Sequence, residues 1–187
     1  MTVVKSICVY CGASDDVQKD YIRLAEKLGK ALAGRGIRLV YGGGGVGLMG
    51  ACARSVHGAG GKVLGIMPRF LLTKEMIYED VEHVIVEDMH TRKQMMFDES
   101  DAFIVLPGGI GTLEEAVEIL SWARLNLHAK PMAFLDEDGF WAPFFELMDH
   151  IIDGRFTPKS FRAMLVHCTT PEDAIDALCD RIVKLDQ

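Results

Sequence analysis

Short runs of apolar residues alternate along this chain with longer stretches in which apolar positions recur every three or four residues. Short runs suit buried strands, and the longer period suits helices with one face against a sheet. Val4 to Tyr10 predicts a first strand. Residues 18–34, with Tyr21, Leu24, Ala25, Leu28, Ala31 and Leu32 on one stripe, predict a helix. Ile37 to Val40 predicts the second strand and Leu48 to about His57 the second helix. Further strands are expected at Lys62 to Ile66, stopped by Pro68, then at Val81 to Val86, Ala102 to Leu106, Pro131 to Leu135 and Ala163 to Val166. Helices are expected at Met89 to Glu99, Leu113 to Leu125, Phe140 to Ile152 and Pro171 to Val183. Residues 69–80 have no clean period and read as a loop or short helix over the sheet edge. Strand–helix alternation of this kind marks βα units around a parallel sheet, and residues 1–187 are expected to form one domain.

Composition narrows the class. About half of the 187 residues are hydrophobic (49%), which argues against a disordered chain. A net charge of −7 argues against nucleic acid as a partner, because backbone binding needs concentrated positive charge. No apolar run is long enough to span a bilayer, so no membrane partner is expected. MTVVKSICVY lacks the order of a signal peptide, and a cytoplasmic location with reduced cysteines follows as the expectation. Cys8 and Cys11 are three apart, but strand residues alternate faces and no second cysteine pair completes a site. The histidines show no metal-ligand spacing, so no metal is expected.

The glycines cluster where ligands of parallel sheets bind, beyond the C-terminal ends of strands. Residues 41–50, YGGGGVGLMG, contain Gly43 and Gly44 and then Gly45, Gly47 and Gly50 in GxGxxG spacing. That spacing after a strand is a dinucleotide fingerprint, yet the next strand's end, LGIMPRF, lacks the acidic residue such a site wants, and no GK[ST] makes it a Walker loop. A mononucleotide or phosphate role and simple close packing both remain. A second loop, Pro107, Gly108, Gly109, Ile110, Gly111 and Thr112, leads into a helix. Its free amides and the helix dipole make a phosphate site that needs no lysine, and the Thr112 hydroxyl can join them. CGAS at 11–14, with Gly12 and Ser14, ends the first strand, so three loops can converge on one crevice.

Two charged features stand beside these loops. Thr112-x-x-Glu115 has the spacing of a capping box, which is the local reading of Glu115. Arg92 and Lys93 come early in a helix, where positive charge opposes the dipole. A bound anion or a carboxylate would remove the objection, and a solvated surface position would also explain them. Asp15 and Asp16 are the nearest candidates for metal-binding carboxylates, but they make no convincing pair and a solvated turn is the better account of them.

Taken together, YGGGGVGLMG at 41–50, MHTRKQMM at 89–96 and PGGIGTLEE at 107–115 resemble the cytokinin-activating "lonely guy" family, often mislabelled as lysine decarboxylases. CVYCGAS at 8–14, IMPR at 66–69 and SWARLNLHAKP at 121–131 are similar as well. The resemblance implies a Rossmann-like three-layer α/β/α sandwich with a mostly parallel central sheet, a homodimer, and no dissociable cofactor. It implies a phosphoribohydrolase that cleaves AMP or an N6-substituted AMP to the free base and ribose 5-phosphate. It places the catalytic pair on Arg92 and Glu115, and the phosphate and ribose loop on Gly108, Gly109, Ile110, Gly111 and Thr112. The family's further glutamate falls on Glu75, and Ser121 stands where many members have threonine; Lys93, Gly12, Ser14, Gly43 and Gly44, beside these loops, complete the expected substrate-binding set. The chain departs from the family's usual CGSS at Ala13, and in the residues after IMPR.

The chemistry fits these residue types. Breaking an N-glycosidic bond builds positive charge on the ribose, which a carboxylate at position 115 would stabilise. Arg92 holds its proton too tightly to act as an acid, so it is an orienting and electrostatic group. A phosphotransferase or a nucleotide-sensing module are the rival readings. A lysine decarboxylase would ordinarily need pyridoxal phosphate on a Schiff-base lysine, to which nothing points.

Overall fold

In the computed structural model, residues 4–72 and 76–185 are described. Their inner strands are short apolar runs buried on both faces, as a parallel sheet covered by helices requires, and the two edge strands are partly exposed. They are β1 (Ser6–Tyr10), β2 (Arg38–Tyr41), β3 (Val63–Pro68), β4 (Glu82–Val86), β5 (Ala102–Val105), β6 (Met132–Leu135) and β7 (Val166–Cys168). They form one sheet in the order β4-β3-β2-β1-β5-β6-β7, and every pairing is parallel.

The helices are α1 (Lys19–Gly34), α2 (Gly47–Gly58), α3 (Met89–Asp98), α4 (Ile110–Arg124), α5 (Ala142–Asp153) and α6 (Pro171–Leu185). Each turns an apolar stripe inward. Leu24, Leu28 and Leu32 of α1 are fully buried, and each contributes roughly 1.5–3 kcal/mol by leaving water. One core lies under α1, α2 and α6 and takes Ile7, Val9 and Cys11 from β1 and just beyond its end. The other lies under α3, α4 and α5 and takes Cys8 and Tyr10. Cys8 and Cys11 therefore point to opposite faces, and all five cysteines are free. Among the described residues no helix is long and apolar enough to cross a membrane.

The expected elements are present, with three shifts. β3 does not stop short of Pro68 but includes it, opposite Val86, because a last strand position tolerates a missing N–H. The expected strand at 163–166 is instead the end of a 3₁₀ turn (Lys159–Met164) followed by β7. Short apolar runs such as AMLV do not distinguish the two, and burial of Phe161 favours the turn. Helix α4 begins three residues earlier than the periodicity suggests, and that shift changes the reading of Glu115.

Candidate active site

The chain builds outward from β1 through β2 and β3 to β4, then returns across the sheet to place β5 on the other side of β1. A crevice opens at such a reversal, above the C-terminal ends of the strands. The loops after β1, β2 and β5 meet there. The Gly12 amide donates to Pro107 O at 3.1 Å, and Gly12 O accepts from the Leu48 and Met49 amides at 3.0 and 3.3 Å. The approach leaves no room for side chains: a Cβ on Gly12 would lie 3.4 Å from Gly108 Cα, and one on Gly108 would lie 2.9 Å from Gly12 N. A cavity of about 500 Å³ adjoins this seam, lined by Gly12, Ser14, Gly108 and Gly109 and walled by Tyr21 and Phe140. Its size suits a nucleotide-sized ligand.

Two helices aim their N-termini at the crevice, and they differ. In α2 the first-turn amides are taken. Gly47 N–H donates to Asp15 Oδ1 at 2.9 Å, and the next two donate to Gly12 O. The GxGxxG loop thus carries its own carboxylate where a dinucleotide's pyrophosphate would sit. Asp15 is exposed but more than a solvated turn residue, because its carboxylate accepts from the first amide of α2. In α4, whose N-cap is Gly109, the amides of Ile110, Gly111 and Thr112 have no acceptor among the described residues, and no acidic side chain occupies the first turn. Gly109, Ile110 and Gly111 are exposed, and Thr112 is buried behind them. Here the dipole and the amides are open to an anion.

The same helix start overturns the capping-box reading. With Gly109 as N-cap, Thr112 is the third helical residue and Glu115 the sixth, so Thr112 is not the capping residue and Glu115 is a turn too far along to complete a capping box. Glu115 faces Arg92 instead. Arg92 Nη1 lies 3.1 Å from Glu115 Oε1, and both side chains are more than nine-tenths buried. Arg92 is held by two further acceptors, donating from Nε to Ile66 O at 3.2 Å and from Nη2 to Gly42 O at 3.4 Å. It is not a solvated surface charge. Burial pushes the Glu115 carboxyl up to about 7, outweighing the attraction of Arg92. A buried carboxyl raised toward neutrality, one turn below an open helix N-terminus, marks Glu115 as a candidate functional residue.

The other expected site residues are placed as follows. Lys93 donates to Glu114 at 2.6 Å and Glu118 at 3.0 Å. Desolvation would lower its pKa, but these two bonds prevail and raise it, so it is held as an ammonium. Ser14 is exposed, and its hydroxyl accepts from the Asp16 amide at 3.3 Å. Gly44 bridges to Ile77, and Gly43 O faces His83. Ser121 is exposed on the far half of α4, four residues below Val117 and away from the pair. Glu75 lies outside the described residues. Sequence reasoning missed the carbonyls of Gly42 and Ile66, which no side chain announces, and the aromatic walls Tyr21 and Phe140.

Residues 49–178 match the family described as "Possible lysine decarboxylase". The cytokinin riboside 5′-monophosphate phosphoribohydrolase LOG5 of Arabidopsis thaliana is 43% identical over 183 residues, covering 95% of this chain and 80% of that protein. The cytokinin riboside 5′-monophosphate phosphoribohydrolase LOG of Oryza sativa subsp. japonica is 42% identical over 172 residues, covering 91% and 71%. Among solved structures, the molybdenum cofactor carrier protein of Chlamydomonas reinhardtii superposes with a TM-score of 0.72 at 21% identity, over 95% of this chain and 98% of that one. At that identity the likeness concerns the fold alone.

Proposed function

This chain belongs to the lonely guy family of phosphoribohydrolases, and on that premise we propose that it hydrolyses the N-glycosidic bond of AMP or an N6-substituted AMP. The products are the free base and ribose 5-phosphate. The observation that carries this reading is the buried Arg92–Glu115 pair set one helical turn, ~5 Å of rise, below the open N-terminus of α4. That is the scale of the path from a 5′-phosphate across a ribose to C1′.

In this reading the amides of residues 110–112 and the Thr112 hydroxyl anchor the phosphate, which fixes the sugar over the pair. The bond from C1′ to the base nitrogen breaks, positive charge develops on the ribose, and ionised Glu115 stabilises it. Water adds its oxygen to C1′ and gives up one proton, and the departing base takes up one proton. Glu115, poised near 7, can carry that proton. Arg92 holds the carboxylate in place and supplies positive charge toward the leaving base. Lys93 fits no Schiff-base role, which needs a neutral amine, because two carboxylates keep it charged.

The protein is further proposed to act as a cytosolic homodimer. Free, mostly buried cysteines suit a reducing compartment. Ile110, Val117, Leu125 and Leu127 are large, apolar and exposed along and just beyond α4, where a second copy would cover them. Trp122 is taken by its own chain, edge-on to Phe97 at 5.4 Å. The test is product identity in ¹⁸O-labelled water with N6-isopentenyl-AMP as substrate. Free base with one label in the ribose 5-phosphate is expected. Intact nucleotide retained on the protein would favour a sensing module.

A further inference from the structure

The glycine loop that holds Arg92 is gripped from the opposite face of the sheet as well. Register pairs Tyr41 with Gly65 and Gly65 with His83, so these three share the face covered by α2. Arg92 comes from α3 on the other face. His83 belongs to the edge strand β4, yet its ring does not point away from the sheet. It lies over Gly65 beside the edge of Tyr41, with ring centroids 6.4 Å apart. Nδ1 is 2.9 Å from Val81 O and Nε2 is 3.4 Å from Gly43 O. Gly65 makes the space: a Cβ there would sit 2.5 Å from His83 Cδ2 and 2.6 Å from Nε2. Gly43, in a left-handed conformation at φ +84°, follows directly on Gly42, whose carbonyl accepts from Arg92.

We propose that His83 is a positioning residue for Arg92. By donating from Nε2 to Gly43 O it holds the Gly43–Gly44 peptide, which joins at Gly43 Cα the Gly42–Gly43 peptide whose carbonyl orients the guanidinium. This rests on the role given to Arg92 above. Both neighbours of the ring are carbonyl oxygens, so the protonated ring satisfies both, and a neutral ring one of them. The step from His83 to Arg92 passes through two successive peptide units joined at Gly43, so a change in the Gly43 dihedrals moves one carbonyl relative to the other.

The two ring contacts can be separated. Asparagine places its amide near Nδ1 and reaches Val81 O only, whereas glutamine places it near Nε2 and reaches Gly43 O. For His83→Asn, kcat for base release is expected to fall roughly tenfold with KM nearly unchanged, since about 1 Å of misplacement costs about a hundredfold and a fraction of that costs less. His83→Gln should keep most of native turnover. Circular dichroism on both variants checks that they are folded. In an Arg92→Lys background, itself expected to be strongly impaired, His83→Asn should add little, because the pair acts as one unit. Native kcat in His83→Asn, equal losses in both His83 variants, or full additivity with Arg92→Lys would each overturn the proposal while Arg92 keeps its role. Native turnover in Arg92→Lys alone would remove that role, and the proposal with it.

Discussion

Replacing Glu115 by glutamine separates what this residue does for the fold from what it does for the reaction. Glutamine keeps the volume and one oxygen to accept from Arg92 Nη1, now 3.1 Å from Oε1, so the interior is not opened. The charge is lost. The Glu115 carboxyl sits at about 7 against an ordinary 4.5 because burial disfavours its ionised form. The folded state therefore holds the proton where the unfolded state has released it, and stability falls as pH rises from about 4.5 to about 7. A difference of this size corresponds to roughly 3 kcal/mol. Above pH 7 the native carboxylate bears that cost and the neutral amide of the variant does not, so Glu115→Gln is expected to be at least as stable as the native protein at pH 8. This opposes the usual expectation for breaking a buried ion pair, a loss of about 3–5 kcal/mol. Turnover should move the other way, down roughly 10²–10³-fold, the cost of losing one strong transition-state electrostatic group. Thermal unfolding at pH 5.5 and 8 and base release from N6-isopentenyl-AMP at pH 8 measure the two effects. Turnover within about threefold of native would remove Glu115 from the mechanism. A variant clearly less stable at pH 8 would show that the pairing with Arg92, not desolvation, dominates the carboxyl.

Three further outcomes follow from the same geometry. Native kcat/KM should rise with pH about a midpoint near 7, and that limb should vanish in Glu115→Gln, leaving only the substrate phosphate's own ionisation near ~6. Arg92→Lys keeps a charge but cannot reach Glu115, Ile66 O and Gly42 O together, so kcat should fall roughly a hundredfold, checked by the same base-release assay. Sedimentation at micromolar concentration should show a species of two chains, and Val117→Asp on the exposed side of α4 should shift it toward one.

Much of this arrangement is legible in the sequence, for physical reasons. Apolar runs at β1, β5 and β6 are long enough to signal burial on both faces, and glycine clusters mark where backbone must approach backbone, as Gly12 and Gly108 do. The role of Glu115 is not local information. Thr112-x-x-Glu115 has a capping spacing, and only the extended conformation of Gly109 decides that the helix begins earlier. Arg92 is hidden for a similar reason. Its burial depends on Gly42 O and Ile66 O, 50 and 26 residues away, and main-chain oxygens leave no trace in side-chain chemistry. Asp15 reads as a turn residue until α2 is brought against it. The family resemblance supplies the Arg92–Glu115 pair that spacing alone does not.

The central claim is that a single 5′-phosphate, held at the start of α4, positions the glycosidic bond for hydrolysis beside Glu115. The most direct test compares release of free base from N6-isopentenyladenosine 5′-monophosphate and from the same nucleoside without its phosphate, at equal enzyme and pH. The account predicts efficient release from the monophosphate and a kcat/KM lower by at least roughly a hundredfold for the nucleoside, since remote binding energy is what aligns the sugar. Equal efficiency for the two would contradict it.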